Sequence, residues 1–213
     1  SAAIDPAILN EAAGWLVRDK RLEQDSCDLL ASNARMASFA AVAQDQLDQQ
    51  HWWSLGRPQR MADSGALLLS RRGALVDYLG PQLMMPWWRD TLLDGAARAA
   101  VRMQAIHARR HGVLWGFSDS LCNAVDALAR YRLRRGGLPA AALQRGAPDD
   151  LVAAPHAAAL ALSVAPALAA GNLERMAAQG LLGETGMLEA IDYAPQRPPQ
   201  GERQVLVRAY TGA

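Results

Sequence analysis

Three acids lie in segments whose residue types could carry acid–base chemistry. Asp119 falls in "WGFSDS" (115–120), and Glu189 and Asp192 are three apart in "MLEAIDY" (187–193). A carboxyl group can move a proton, or attack an electrophilic carbon, when a second group of suitable pKa faces it. No local motif pairs these acids, so any such pair has to be assembled by the fold from distant segments. Asp119 also has a plainer reading, because Asp ahead of "SLCNAVDAL" is a good helix N-cap.

The other reactive residue types offer less. His107 and His111 have the i, i+4 spacing of metal ligands, but "HARRH" places arginines and no Glu between them, and no third ligand lies nearby. Neither a metal nor a cofactor is expected. The two cysteines, Cys27 and Cys122, do not make a disulfide framework, which points to a reduced compartment. Cys122 reads as a small buried residue. "GNLERMAAQGLLGETG" lacks the Gly-Lys-Ser/Thr ending of a phosphate loop and follows a helix instead of a strand, so no nucleotide site is expected.

The elements that would position these acids are mostly helical. Apolar residues recur at three- and four-residue steps from Asp28, in N-cap position, to Leu47. Residues 91–109 read as a second helix stopped at His111-Gly112, and Ser120–Arg135 as a third closed by Gly136-Gly137. Asp150–Ala161 and Pro166–Gln179 read as a helical pair ended by Gly180. β-branched residues are scarce, which argues against a large sheet. One strand is expected at Val205–Val207, after a Pro-rich connection.

A weak repeat runs through this pattern. "RRGALVDYLGP" (71–81), "RHGVLWGFSDS" (110–120) and "ETGMLEAIDYAP" (184–195) share a Gly, apolar residues and then an acid. Their glycines, Gly73, Gly112 and Gly186, are 39 and 74 residues apart, close to one and two periods. A period of about 37 residues fits stacked helical hairpins whose tips line a common cleft.

The chain has 213 residues and a formal charge of +1. That length suits a single domain over 1–213. Mixed charges without a basic face argue against a nucleic-acid partner. No apolar run reaches the roughly 18 residues that span a bilayer, so a soluble chain is expected. The uncapped apolar tail reads as continuing beyond Ala213. Apolar flanks exposed by such truncation would favour homo-oligomers.

Six segments together resemble the glucoamylase-like domain of cyclic β-1,2-glucan synthases of the NdvB type. They are "DLLASNARMASF" (28–39), "HWWSLGRP" (51–58), "GALVDYLGP" (73–81), "WGFSDS" (115–120), "LQRGAPDDLVAAPHA" (143–157) and "MLEAIDYAP" (187–195). The resemblance implies an all-α fold of helical hairpins forming all or part of an (α/α) toroid, with short strands or extended turns at one rim. It implies a β-1,2-glucan or gluco-oligosaccharide ligand and transglycosylation. It further implies a bacterial parent synthase whose other domains are partners, with this domain on the cytoplasmic side of the inner membrane.

This chain departs from the family pattern at two positions. Glycoside chemistry uses two carboxyl groups, about 5 Å apart when one attacks the sugar and about 6.5–9.5 Å apart when one activates water. At position 119 the family usually carries a glutamate that looks like the acid/base, and this chain has Asp119. In the segment 28–37 the family carries a glutamate that looks like the nucleophile, and this chain has Asn33. An amide has no ionised oxygen, so Asn33 should abolish a retaining displacement. Asp119 keeps the acid but withdraws it by one methylene, about 1.5 Å. The expected function is therefore β-1,2-glucan binding at a degenerate site. The alternative is an active hydrolase or transglycosylase using Asp119 and Glu189, with Glu189 otherwise a sugar or arginine ligand.

Six tryptophans against two phenylalanines is an unusual ratio. Indole faces match the apolar faces of pyranose rings, and Trp53 and Trp115 are the expected platforms. Arg57 and Arg145 are candidates for bidentate bonds to vicinal hydroxyls, or for structural ion pairs. Asn33 and Asp192 complete the expected binding set.

Overall fold

The computed structural model describes residues 29–62, 65–144, 151–194 and 202–210. In chain order these form helices α1 (Ala34–Ala43) and α2 (Gln50–Ser54), then the hairpin β1 (Gln59–Ala62) and β2 (Gly65–Leu68). Helix α3 (Leu75–Leu79) runs into a 3-10 turn, Gly80–Leu83, before the long α4 (Leu92–His111). A second hairpin follows, β3 (Ser120–Val125) and β4 (Tyr131–Arg134). The last part comprises β5 (Val152–Ala153), α5 (Pro155–Leu160), α6 (Pro166–Met176), β6 (Leu182–Gly183), β7 (Gly186–Asp192) and β8 (Val205–Tyr210).

Helix α4 matches its sequence signals closely. Thr91 is the N-cap, its hydroxyl accepting from Asp94 N–H at 3.3 Å, and the Asp94 carboxylate accepts from Asp90 N–H at 3.1 Å. Gly112 ends the helix in the left-handed region, φ 66°. The buried face is Ala96, Ala97, Ala100, Val101, Gln104 and Ala108, a helical period of small residues that lets α4 approach β2 and α3 closely.

The segment leading to Asp119 is held by two buried side-chain amides. Gln104 on α4 accepts from Phe117 N–H at 2.8 Å and donates to Phe117 C=O at 2.7 Å. Asn172 on α6 does the same for Trp115, accepting at 3.4 Å and donating at 2.8 Å. Each amide stands in for a neighbouring strand and satisfies a buried peptide group. Between them Gly116, at φ 133°, lets its chain pass so close to Ala154 that a Cβ would lie 2.6 Å from the Ala154 oxygen.

The helix expected over Ser120–Arg135 is not formed. β3 and β4 pair antiparallel from Ser120 opposite Arg134 to Val125 opposite Tyr131, with an irregularity after Cys122. The turn is closed by Asp126, whose carboxylate accepts from Leu128 N–H and Arg130 N–H at 2.8 and 3.0 Å, and Ala129 takes a positive φ of 58°. An Asx turn without glycine left no obvious punctuation in the sequence. Ser120 and Cys122 are buried with Leu121 less so, the alternation of a strand.

Other elements fall near their expected places with shifted ends. The first helix begins at Ala34, because Leu30 N–H bonds Gly56 C=O and the Ser32 hydroxyl accepts from Ala34 N–H. Its expected cap, Asp28, lies outside the described residues. The pair from 150 onward is present as α5 and α6, and Gly180 turns the chain at φ 88°. The expected strand is present as β8, on a four-stranded antiparallel sheet in which β7 pairs with β5, β6 and β8. Helices dominate the described residues, with more strand than the sequence indicated. The main core, with Leu67, Leu75, Leu79, Met176, Leu181 and Ile191 fully buried, runs from β2 to β7. Among the described residues no helix is long and apolar enough to cross a membrane.

Candidate functional site

The three repeat segments supply acids to one neighbourhood. α3 begins against the Asp119 segment, with Leu75 N–H donating to Phe117 C=O at 3.2 Å and Val76 N–H to the Ser118 hydroxyl at 3.2 Å. This brings Asp77 within electrostatic reach of Asp119. β7 lies beside β3, and the Glu189 carboxylate accepts from Leu121 N–H at 3.1 Å. His156, in the first turn of α5, feels both Asp119 and Glu189.

Each group is shaped by that crowding. Burial raises the Asp119 carboxyl above the usual range, opposed by Arg72, Arg135 and the Gly136 N–H. Asp77 is pushed up to about 6 by burial, with the Ser70 hydroxyl opposing and the Asp119 charge reinforcing. Burial lowers His156 and favours its neutral ring, against the pull of Glu189 and Asp119. Asp119 Oδ1, Ser120 Oγ and His156 Nδ1 are all buried without a hydrogen-bond partner. Orphaned buried polar atoms are uncommon in folded proteins, and three fall here in adjoining segments. Chemically, the cluster offers two carboxyl groups whose ionisation burial disfavours, a third carboxylate and an imidazole whose protonation burial disfavours.

The remaining expected residues fall in different places. Asn33 is exposed at the start of α1, its Oδ1 3.5 Å from where a Cβ on Gly80 would stand, just past the end of α3. Asp192 is fully buried and accepts from Asn123 N–H at 2.9 Å and Ala194 N–H at 3.0 Å, so it ties β7 to β3. Trp115 is 2% exposed and packs in the core, which corrects its expected place as a sugar platform. Arg57 folds back onto the carbonyls of Trp52, Trp53 and Leu55, ending α2, and stacks on Trp53 at 5.7 Å. Three of its N–H groups bond backbone carbonyls in place of the expected vicinal hydroxyls. Arg145 lies outside the described residues.

Trp53 does keep an open indole, 60% exposed. With Phe39, Trp52, Trp87 and Trp88 it lines a cavity of about 280 Å³ between α1, α2 and the segment before α4. Phe39 meets Trp52 edge-on at 6.4 Å, and Arg98 stacks on Trp87 at 5.6 Å.

Sequence reasoning passed over Asp77, His156, Arg72 and Arg135. The signal for Asp77 was present: it is the acid of the first repeat segment, as Asp119 and Glu189 are of the others. His156 carried none, being a single histidine in an alanine-rich helix. His107 and His111 stack on each other at 4.3 Å, with Nδ1 of His111 on the His107 carbonyl, a helix-surface arrangement.

The chain is 36% identical over 197 residues to the cyclic β-(1,2)-glucan synthase NdvB of Rhizobium meliloti, a match covering 92% of this chain. This chain is similar to a segment of NdvB. It spans 7% of NdvB's length. No family model matches it. Among solved structures, an endo-β-1,2-glucanase from Chitinophaga pinensis, in complex with sophorotriose and glucose, aligns with a TM-score of 0.46 at 17% identity. That alignment covers 71% of this chain and 37% of the glucanase. The NdvB similarity spans all three acid-bearing segments that the fold gathers around His156.

Proposed function

We propose that this chain is a glycoside hydrolase-like domain of a cyclic β-1,2-glucan synthase that binds β-1,2-glucan chains at the Asp77–Asp119–Glu189 cluster, with its retaining site degenerate. The supporting observation is the gathering of acids from three NdvB-like segments around buried polar atoms that lack partners. The helical hairpins are then part of an (α/α) toroid, with the remaining domains of the synthase as partners on the cytoplasmic face of the inner membrane. Trp53 and the cavity beside it supply an apolar platform for the glucan. Asn33 holds the place of the family's nucleophile, and an amide there cannot form a glycosyl ester.

Incubation with linear β-1,2-gluco-oligosaccharides tests this directly. Binding is expected without rings and without redistribution of chain lengths. Asn33→Glu combined with Asp119→Glu is expected to generate transfer products, and a double variant that neither binds nor acts on the glucan would contradict the site.

A second reading is favoured by one observation: Asp119 and Glu189 both act on His156, and burial keeps Asp119 protonated further up the pH scale. An acid whose ionisation is disfavoured, working with a second carboxylate, is the pair an inverting hydrolysis uses. Shortening of the oligosaccharides by wild type, abolished by Asp119→Asn, would establish this reading in place of the first.

A further inference from the structure

We infer that the open groove along α2 is a glucosyl subsite separate from the acid cluster, in which one pyranose ring rests on the Trp53 indole while Asp48, Gln50 and Ser54 meet its hydroxyls. The inference rests on the β-1,2-glucan reading above and gives the glucan a second point of attachment. The groove, of about 630 Å³, is lined by Leu47, Asp48, Gln50, His51, Trp53 and Ser54. Trp53 also lines the aromatic cavity, so the two hollows share it as a wall. Its indole is 60% exposed, and Arg57 braces it from one side at 5.7 Å. A ligand therefore reaches the indole without rearrangement of the fold, and the cation stack holds the platform in place.

The polar groups of the groove suit a sugar. Asp48 accepts from Gln50 N–H at 2.7 Å through one carboxylate oxygen, at the start of α2. The Ser54 hydroxyl donates to His51 C=O at 2.7 Å, and its oxygen can still accept. The Gln50 amide can both donate and accept. An indole face beside a carboxylate, an amide and a hydroxyl matches a pyranose, which is apolar on its C–H face and ringed by O–H groups. A docking peptide helix would instead bury Asp48 with no lysine or arginine among the residues lining the groove, and burial of a lone carboxylate is penalised. Helix α1 links the groove to the acids. Asn33 stands at its start, beside Gly80 at the end of α3. Ser38 Oγ, five residues on, lies 2.9 Å from His51 Nδ1 and seats α2 on α1. Five residues of helix rise about 7.5 Å, so the groove and the Asn33 end of α1 engage different units of one chain.

Calorimetric titration of wild type, Trp53→Ala and Gln50→Ala with linear β-1,2-linked glucose chains, from disaccharide to heptasaccharide, tests the inference. Wild-type affinity is expected to rise about threefold to tenfold once the chain is long enough to reach the groove, and then to level off. Trp53→Ala is expected to bind the disaccharide like wild type and to lose that rise. Gln50→Ala removes one polar contact and is expected to bind the heptasaccharide about threefold more weakly than wild type. Both side chains are exposed, so the variants should keep the fold. An equal rise in Trp53→Ala, or no rise in wild type, would overturn the inference, the former leaving the groove to a different ligand. Failure of wild type to bind any of the chains would instead sink the glucan reading itself, and this inference with it.

Discussion

A single pKa ties the site to stability. Asp77 titrates near 6 in the fold against 3.8 as a free side chain, because burial and the Asp119 charge disfavour its anion. The folded state therefore binds the proton more tightly, and this contribution is complete below the unfolded value and lost as pH rises through 4 to 6. Asp77→Asn removes the titration. Relative to wild type, the variant is expected to gain about 2 kcal/mol between about pH 4 and pH 8, read from urea unfolding at both values. A constant difference at the two values would mean that Asp77 is not strained as an anion. His156 has the opposite sign for a base: its depressed value makes the neutral ring part of the fold's stability, lost as pH falls below the ordinary histidine range.

At the scale of elements, the Asp119 segment is positioned by amides and a glycine, not by a sheet. Gln104→Leu keeps the volume but leaves Phe117 N–H and C=O without the partners they have now. It is expected to lose about 2–4 kcal/mol, measured by denaturant unfolding, and a loss below 1 kcal/mol would show that the clamp is dispensable. Gly116→Ala should cost at least about 2 kcal/mol, because a methyl would meet the Ala154 carbonyl at 2.6 Å on a backbone that L-residues rarely adopt. Neither device was visible in the sequence, since a glutamine on an alanine-rich helix gives no sign that it faces inward. The helix itself was legible, its Thr91 cap and Gly112 stop both working locally. The Ser120–Arg134 hairpin was not, because its turn depends on the Asp126 side chain and on Ala129 in a strained region, with no Gly or Pro to mark it. Arg57 and Trp115 were misjudged for a related reason: residue type shows what a side chain could bind, and tertiary packing decides what it does bind.

Across the whole molecule, the Gly-apolar-acid segments carry Asp77, Asp119 and Glu189, but the chain between them is built from helices and hairpins in unequal measure, not from the stacked helical hairpins that a period of about 37 residues suggested. The fold gathers these acids by packing α3, β3, α5 and β7 side by side. The aromatic cavity of about 280 Å³ is the second organised surface and carries the open face of Trp53. Trp53→Ala is expected to weaken oligosaccharide binding about threefold to tenfold with little change in stability, since the indole is mostly solvent-exposed.

Binding at the acid cluster is the most direct test. Wild type and Asp119→Ala are titrated with a linear β-1,2-gluco-oligosaccharide, with a β-1,3-linked chain of equal length as control. Saturable binding of the β-1,2 chain by wild type is expected, at least tenfold tighter than the control and lost in a folded Asp119→Ala. Equal binding of the β-1,2 chain by wild type and Asp119→Ala, or none by either, would contradict a glucan site built on these acids.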